Sequence, residues 1–160
     1  MATPFLSVVI PAYNEETRIS ATLSTVVYYL REQEYTWEVV VVDDGSVDAT
    51  SAFVNAVVGI DDRVRLERVP HRGKGWAVRH GMLAATGELR FMCDADLAMP
   101  IPQLSRFIDQ MSEGYDMVIG SREGAGAKRY DESASRHLRG RIFNLVVRLL
   151  AIRRFQDTQC

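Results

Sequence analysis

Cysteine is scarce in this sequence: there are two in 160 residues, Cys93 inside an apolar run and Cys160 at the last position. Nothing therefore resembles a disulfide framework or a CxxC metal site, and a reducing compartment fits. Long hydrophobic runs are missing too. No stretch approaches the ~18 apolar residues of a membrane span, and Met1-Ala2-Thr3-Pro4-Phe5-Leu6 lacks the basic start and apolar core of a secretory signal. A soluble chain is expected, cytoplasmic or peripheral at the cytoplasmic face of a membrane. The Walker spacing GxxxxGK[ST], the dinucleotide fingerprint and HExxH are all absent, and His71, His80 and His137 form no ligand spacing. Internal repeats and low-complexity linkers are absent as well.

What is present is an ordinary globular composition, 47% hydrophobic and 25% charged, at a length that suits a single domain over 1–160. The net charge of −2 is unevenly spread. Residues 133–154 carry Arg136, Arg139, Arg141, Arg148, Arg153 and Arg154 with no acid, so this end suits an anionic partner. Arg141, Asn144 and Arg148 would line one face of a helix there, and Ile142, Leu145, Leu149 and Ile152 another. The same pattern also suits a core-packed helix with a solvated charged side. Asp157-Thr158-Gln159-Cys160 follows without a closing element, so a C-terminal truncation is expected.

Strand and helix signals alternate. Leu6–Ile10 reads as a buried strand stopped by Pro11, and Asn14 is placed to cap a helix with Ile19, Leu23, Val26, Val27 and Leu30 on its apolar face. Val39–Val42 is a second buried strand, broken at Asp43-Asp44-Gly45-Ser46, with a helix from about Asp48. A third strand near Val64–Leu66 leads through His71-Arg72-Gly73-Lys74-Gly75 to a helix over about 76–85. A fourth, Leu89–Cys93, precedes Asp94-Ala95-Asp96, a helix near 102–111 and a fifth strand at Met117-Val118-Ile119. Such alternation predicts an α/β fold, a Rossmann-like and mostly parallel sheet with helices on both faces. Ligands of these sheets gather at the carboxyl ends of the strands.

Four polar loops should meet at that edge. Asp94 and Asp96 are two apart, so in an extended strand end they point the same way, and oxygen ligands suit Mg²⁺ or Mn²⁺. They also suit turn or cap acids. Asp43-Asp44-Gly45-Ser46 fits a tight turn, or carboxylates accepting from a base N–H or ribose hydroxyls. Tyr13 offers a face for stacking, or simple burial. Gly73-Lys74-Gly75 allows backbone N–H groups and an ammonium to approach an anion, or forms a solvated basic loop. Arg122 is a second candidate phosphate clamp.

Taken in order, Ser7-Val8-Val9-Ile10-Pro11-Ala12-Tyr13-Asn14-Glu15, Val42-Asp43-Asp44-Gly45-Ser46-Val47-Asp48-Ala49-Thr50 and Asp94-Ala95-Asp96 resemble the family 2 glycosyltransferases of the GT-A fold. Arg72-Gly73-Lys74-Gly75, Gly120-Ser121-Arg122, the arginine-rich segment and Asp157-Thr158-Gln159-Cys160 resemble the dolichyl-phosphate glucosyltransferase branch, which is similar to the dolichyl-phosphate mannose synthases. The resemblance implies that Pro11, Ala12, Tyr13, Glu15 and one of Asp43 or Asp44 hold the nucleoside, with Gly73 and Lys74 on the same donor. It further implies that Asp94, Ala95 and Asp96 hold the cation and diphosphate, and that Arg122 and Arg139 face phosphates. Where some mannose synthases carry a polar residue two places past the second metal aspartate, this chain has Ala98. The implied reaction moves glucose or mannose from a UDP- or GDP-sugar to a polyprenyl phosphate with inversion. Asp157 would serve as base if the acceptor were a hydroxyl. Nucleic acid is not an expected partner. A sugar nucleotidyltransferase would need a glycine-rich loop where Pro11-Ala12-Tyr13-Asn14-Glu15 stands, and a non-catalytic nucleotide-sugar-binding module is the other alternative.

Overall fold

The computed structural model describes residues 3–120. The chain divides into two compact units, Met1–Leu104 and Ser105–Cys160. The first contains β1 (Leu6–Ala12), α1 (Ile19–Arg31), β2 (Trp37–Asp43), α2 (Thr50–Val58), β3 (Val64–Arg68), α3 (Lys74–Ala84), β4 (Leu89–Met92) and a 3-10 turn at Ile101–Gln103. The helix α4 (Leu104–Ser112) begins at the last residue of the first unit and is followed by a turn at Gly114, whose φ is 96°.

The four strands form a parallel sheet in the order β3-β2-β1-β4. The chain steps outward from β1 to β2 to β3 and then returns to the far side of β1. Right-handed crossovers place α1 and α2 on one face and α3 on the other. Accordingly α1 contacts α2, while α3 lies on β1, β2 and β4. The reversal of strand order falls between β1 and β4, which makes their carboxyl ends the expected ligand crevice.

Every residue of β1 is buried, and so is all of β2 except the half-buried Glu38, because both faces are covered. On one face Val9, Val40 and Val42 pack with Val69, Ala77 and Ala85. The close approach of α3 depends on Gly81. A Cβ there would lie 2.4 Å from Val9 Cγ1 and 2.7 Å from Val42 Cγ2. Val8, Ile10, Val39 and Val41 face the other way and are fully buried, as are Ile19, Leu23, Val26 and Leu30 of α1.

Three local expectations are corrected. β1 runs through Pro11 to Ala12 instead of stopping. Val9 O accepts Cys93 N–H at 2.9 Å on the β4 side, and Pro11, two residues on, turns its nitrogen to that side past the end of β4. No ladder bond is lost there. Asn14 does not cap α1. The helix starts at Ile19, and Asn14 sits at φ 53° with its side chain engaged elsewhere. Met117-Val118-Ile119 forms no strand, and Met117 and Ile119 are exposed. A β-branched run is a strand only when a neighbour takes its N–H and C=O groups, and no segment among the described residues pairs with this one.

A polar knot closes the opposite edge of the sheet. Glu38 accepts from Ser7 Oγ at 2.6 Å, Thr86 N at 2.6 Å, Thr86 Oγ1 at 2.9 Å and Arg65 Nε at 3.1 Å. Burial raises its pKa, but these donors outweigh it and bring the carboxyl from an ordinary 4.5 to about 2. A depressed folded-state pKa contributes stability that is present above the unfolded value and lost as pH falls through the folded one. Glu38→Gln is therefore expected to cost on the order of 2 kcal/mol at pH 7. Urea melts of the two forms should converge between about pH 4.5 and pH 2. A constant gap across that range would show that Glu38 carries no such load.

Candidate active site

The loop after β1 and the loop after β2 are stapled to each other. Asn14 N donates to Ser46 Oγ at 2.9 Å, Glu15 N to Thr50 Oγ1 at 2.8 Å and Glu16 N to Asp48 Oδ2 at 3.1 Å. In return Val47 N donates to Asn14 Oδ1 at 3.0 Å and Ala49 N to Glu16 Oε2 at 2.9 Å. Much of the polar sequence in both loops therefore satisfies backbone groups at the sheet edge. Glu15 also pairs with Arg18 Nε at 2.7 Å.

Asp43 and Asp44 are buried, at 0% and 2% exposure, and their oxygens are engaged. Asp43 accepts from Ser46 N at 2.8 Å and from Ser51 Oγ, and Arg68 Nε lies 3.4 Å away. Asp44 organises the next loop. Its Oδ1 accepts Arg72 N at 2.9 Å, its Oδ2 accepts Gly73 N at 2.8 Å, and His71 Nδ1 lies 2.8 Å from Oδ2. Burial raises the Asp44 pKa, yet the two backbone N–H groups and His71 prevail and hold it below the usual carboxylate range. Between them, Gly45 at φ 72° lets the chain pass His71, where a Cβ would stand 2.9 Å from the His71 nitrogen.

The consequence is an aromatic pair at the edge. His71 stacks on Tyr13 with centroids 4.0 Å apart and planes 20° apart. Both rings are partly exposed. Sequence reasoning had given His71 no part. The one available signal was its place directly before Arg72-Gly73-Lys74-Gly75, in the loop after a strand.

The acidic triplet follows β4, but not as an extended strand end. Leu97 N donates to Asp94 O at 3.1 Å, closing a turn over Asp94–Leu97, and Leu97 takes a φ of 49°. The expectation that Asp94 and Asp96 share a direction through strand alternation is thereby corrected. Both stand in a turn instead. Burial pushes the Cys93 thiol up to about 11, with Asp94 and then Asp96 adding to it. Ala95 is buried, and its carbonyl accepts Thr22 Oγ1 of α1 at 2.5 Å. Asp96 Oδ1 accepts Ala98 N at 3.0 Å. Lys74 Nζ lies 2.6 Å from Asp94 Oδ1, joining the basic loop to the triplet.

The donor set fits a hard cation. Two partly exposed carboxylates supply oxygen ligands, as Mg²⁺ and Mn²⁺ prefer. Among the described residues there is no cluster of three His, Cys, Asp or Glu side chains able to hold a metal alone. Two carboxylates would leave coordination positions of such an ion open.

The structure thus brings Tyr13, Asp43, Asp44, Gly73, Lys74, Asp94, Ala95 and Asp96 to one edge, with Pro11 and Ala12 as the buried end of β1 and Glu15 just past it. Arg122, Arg139, Asp157 and the arginine-rich segment lie outside the described residues.

A family model, Glycosyl transferase family 2, matches residues 7–158. The dolichyl-phosphate beta-glucosyltransferase of Drosophila melanogaster is 36% identical over 176 residues, which is 97% of this chain and 52% of that protein. The Homo sapiens protein of the same name is 34% identical over 173 residues, 99% of this chain and 53% of its own length. The chain spans about half the length of the curated relatives it matches. Among solved structures, a mannosyltransferase from Pyrobaculum calidifontis in complex with GDP-Man and Mn²⁺ superposes with a TM-score of 0.57 at 30% identity, over 70% of this chain and 33% of that one. Glucosyl-3-phosphoglycerate synthase from Mycobacterium tuberculosis, in complex with Mn²⁺, UDP and glucosyl-3-phosphoglycerate, gives 0.51 at 27% identity, over 67% and 39%. The parallel sheet with its switch between β1 and β4 is that of the GT-A fold. By the reach of the family match and by its fold, the chain belongs to glycosyl transferase family 2.

Proposed function

We propose that this chain is the donor-binding part of an inverting hexosyltransferase that moves glucose or mannose from a UDP- or GDP-sugar to a polyprenyl phosphate, with Mg²⁺ or Mn²⁺. The observation that carries the reading is the meeting of Lys74 with Asp94 beside the Tyr13–His71 pair, at the point where the strand order reverses. Cation ligands, a phosphate-seeking ammonium and an aromatic surface suit the three parts of a nucleotide sugar. The relatives named dolichyl-phosphate beta-glucosyltransferases favour glucose and a dolichyl phosphate acceptor.

In this reading Tyr13 and His71 meet the base, while Asp43 and Asp44 hold the loops that present them, with Pro11, Ala12 and Glu15 shaping the floor. Asp94 and Asp96 would hold the cation, which when bound would supply positive charge against the departing diphosphate. Lys74, Arg122 and Arg139 add positive charge around the phosphates. An acceptor phosphate oxygen attacks the anomeric carbon as the bond to the diphosphate breaks on the opposite side, and configuration inverts. The acceptor needs no base, because a phosphate monoester with a second pKa of about 6 is largely dianionic at neutral pH. Asp157 would take that part for a hydroxyl acceptor.

No helix among the described residues is long and apolar enough to cross a membrane. The arginine-rich segment from Arg136 to Arg154 supports a place at the cytoplasmic face of an anionic membrane. The test supplies radiolabelled UDP-glucose or GDP-mannose with dolichyl phosphate and Mn²⁺. Label is expected in the lipid phase from UDP-glucose, and chelation should remove it. Metal-dependent donor binding without any transfer would instead make the chain a binding module.

A further inference from the structure

Lys74 is the first residue of α3, where the positive end of the helix field is unfavourable to an ammonium, and the first turn carries no acid. What holds it is Asp94, 2.6 Å away on another loop. The contact is exposed, 61% at Lys74 and 38% at Asp94. Exposed pairs of this kind are weak and easily exchanged. The backbone beneath is fixed, since Arg72 N and Gly73 N both donate to Asp44. The space around it is open: a Cβ at Gly73 or at Gly75 would meet nothing within 4 Å. Lys74 therefore has an anchored base, a free stem and a loosely held charge.

That charge sits on a carboxylate oxygen that a divalent cation would use. An ammonium and a divalent cation at one carboxylate repel each other. We propose that Lys74 couples the cation to the nucleotide. With no nucleotide, its ammonium competes with the cation for Asp94. When a nucleoside diphosphate binds, the ammonium moves to the phosphate oxygens, frees Asp94 and strengthens cation binding. This inference rests on the donor-site reading above. It gives Lys74 two opposite effects, one on the cation alone and the other on cation with nucleotide.

The experiment titrates Mn²⁺, followed by the paramagnetic resonance of the free ion, into the whole chain alone, with UDP and with GDP. Wild type, Lys74→Met and Lys74→Arg are compared, and unchanged thermal melting confirms that each is folded. Lys74→Met is expected to bind Mn²⁺ alone about 2- to 5-fold more tightly than wild type, the range of an exposed ion pair. The enhancement of Mn²⁺ affinity by the nucleotide is expected to fall about 10-fold or more, within the usual range of coupling between sites. Lys74→Arg should keep wild-type behaviour. If wild type shows the nucleotide effect and Lys74→Met shows it equally, or binds Mn²⁺ alone no more tightly, the coupling role is overturned while the donor-site reading stands. If wild type shows no effect of either nucleotide, the donor-site reading fails and the coupling with it.

Discussion

Asp94→Asn is expected to lower transfer by on the order of 10²- to 10³-fold, the scale seen when one charge-stabilising group is removed from an active site. The substitution takes away a negative cation ligand and the counter-ion of Lys74 together. Stability should hardly change, because exposed ion pairs contribute about 0–1 kcal/mol. Asp96→Ala should behave similarly in activity, although Asp96 also accepts Ala98 N. Steady-state transfer with varied Mn²⁺, alongside thermal melting, separates the two effects. Asp94→Asn retaining more than about a tenth of wild-type transfer, with its metal dependence intact, would falsify the assignment of this carboxylate to the cation.

The second large effect belongs to Asp44. Asp44→Asn is expected to destabilise the protein by about 3 kcal/mol, since a buried acceptor of two backbone N–H groups becomes an amide that must turn a donor toward one of them. His71 loses its partner at the same time. Nucleotide affinity should fall too, because Lys74 follows directly on the loop that Asp44 holds. The acid limb carries the same sign as at Glu38. The Asp44 carboxyl is held low by Arg72 N, Gly73 N and His71 against the opposing effect of burial. Its contribution is complete above the unfolded value of about 3.9 and is lost as pH falls through the folded one. Urea melts at pH 7 showing less than about 0.5 kcal/mol between the two forms would remove Asp44 from this role.

These two aspartates show what the sequence makes legible. Asp94-Ala95-Asp96 stands out because acids directly after a buried apolar run have few structural uses. Asp44 is equally visible, but its carboxylate turns inward to the backbone of a distant loop, and no local pattern shows that direction. Asn14 carries the same lesson. Its type suits a helix cap, yet Val47 N claims its side chain and the helix begins at Ile19. Met117-Val118-Ile119 and Val39–Val42 are alike in composition. Among the described residues, only the latter has strands on both sides.

The sequence by itself determined the α/β alternation, the continuous apolar runs of β1 and β2, the family and the loops that carry polar chemistry. These follow from local periodicity and from residue types that few environments accept. Tertiary structure alone decided that Pro11 belongs inside a central strand, that His71 faces Tyr13, and that Lys74 meets Asp94. Each depends on where separate segments end in space, set by the crossover to β4 and by the close approach of α3 at Gly81.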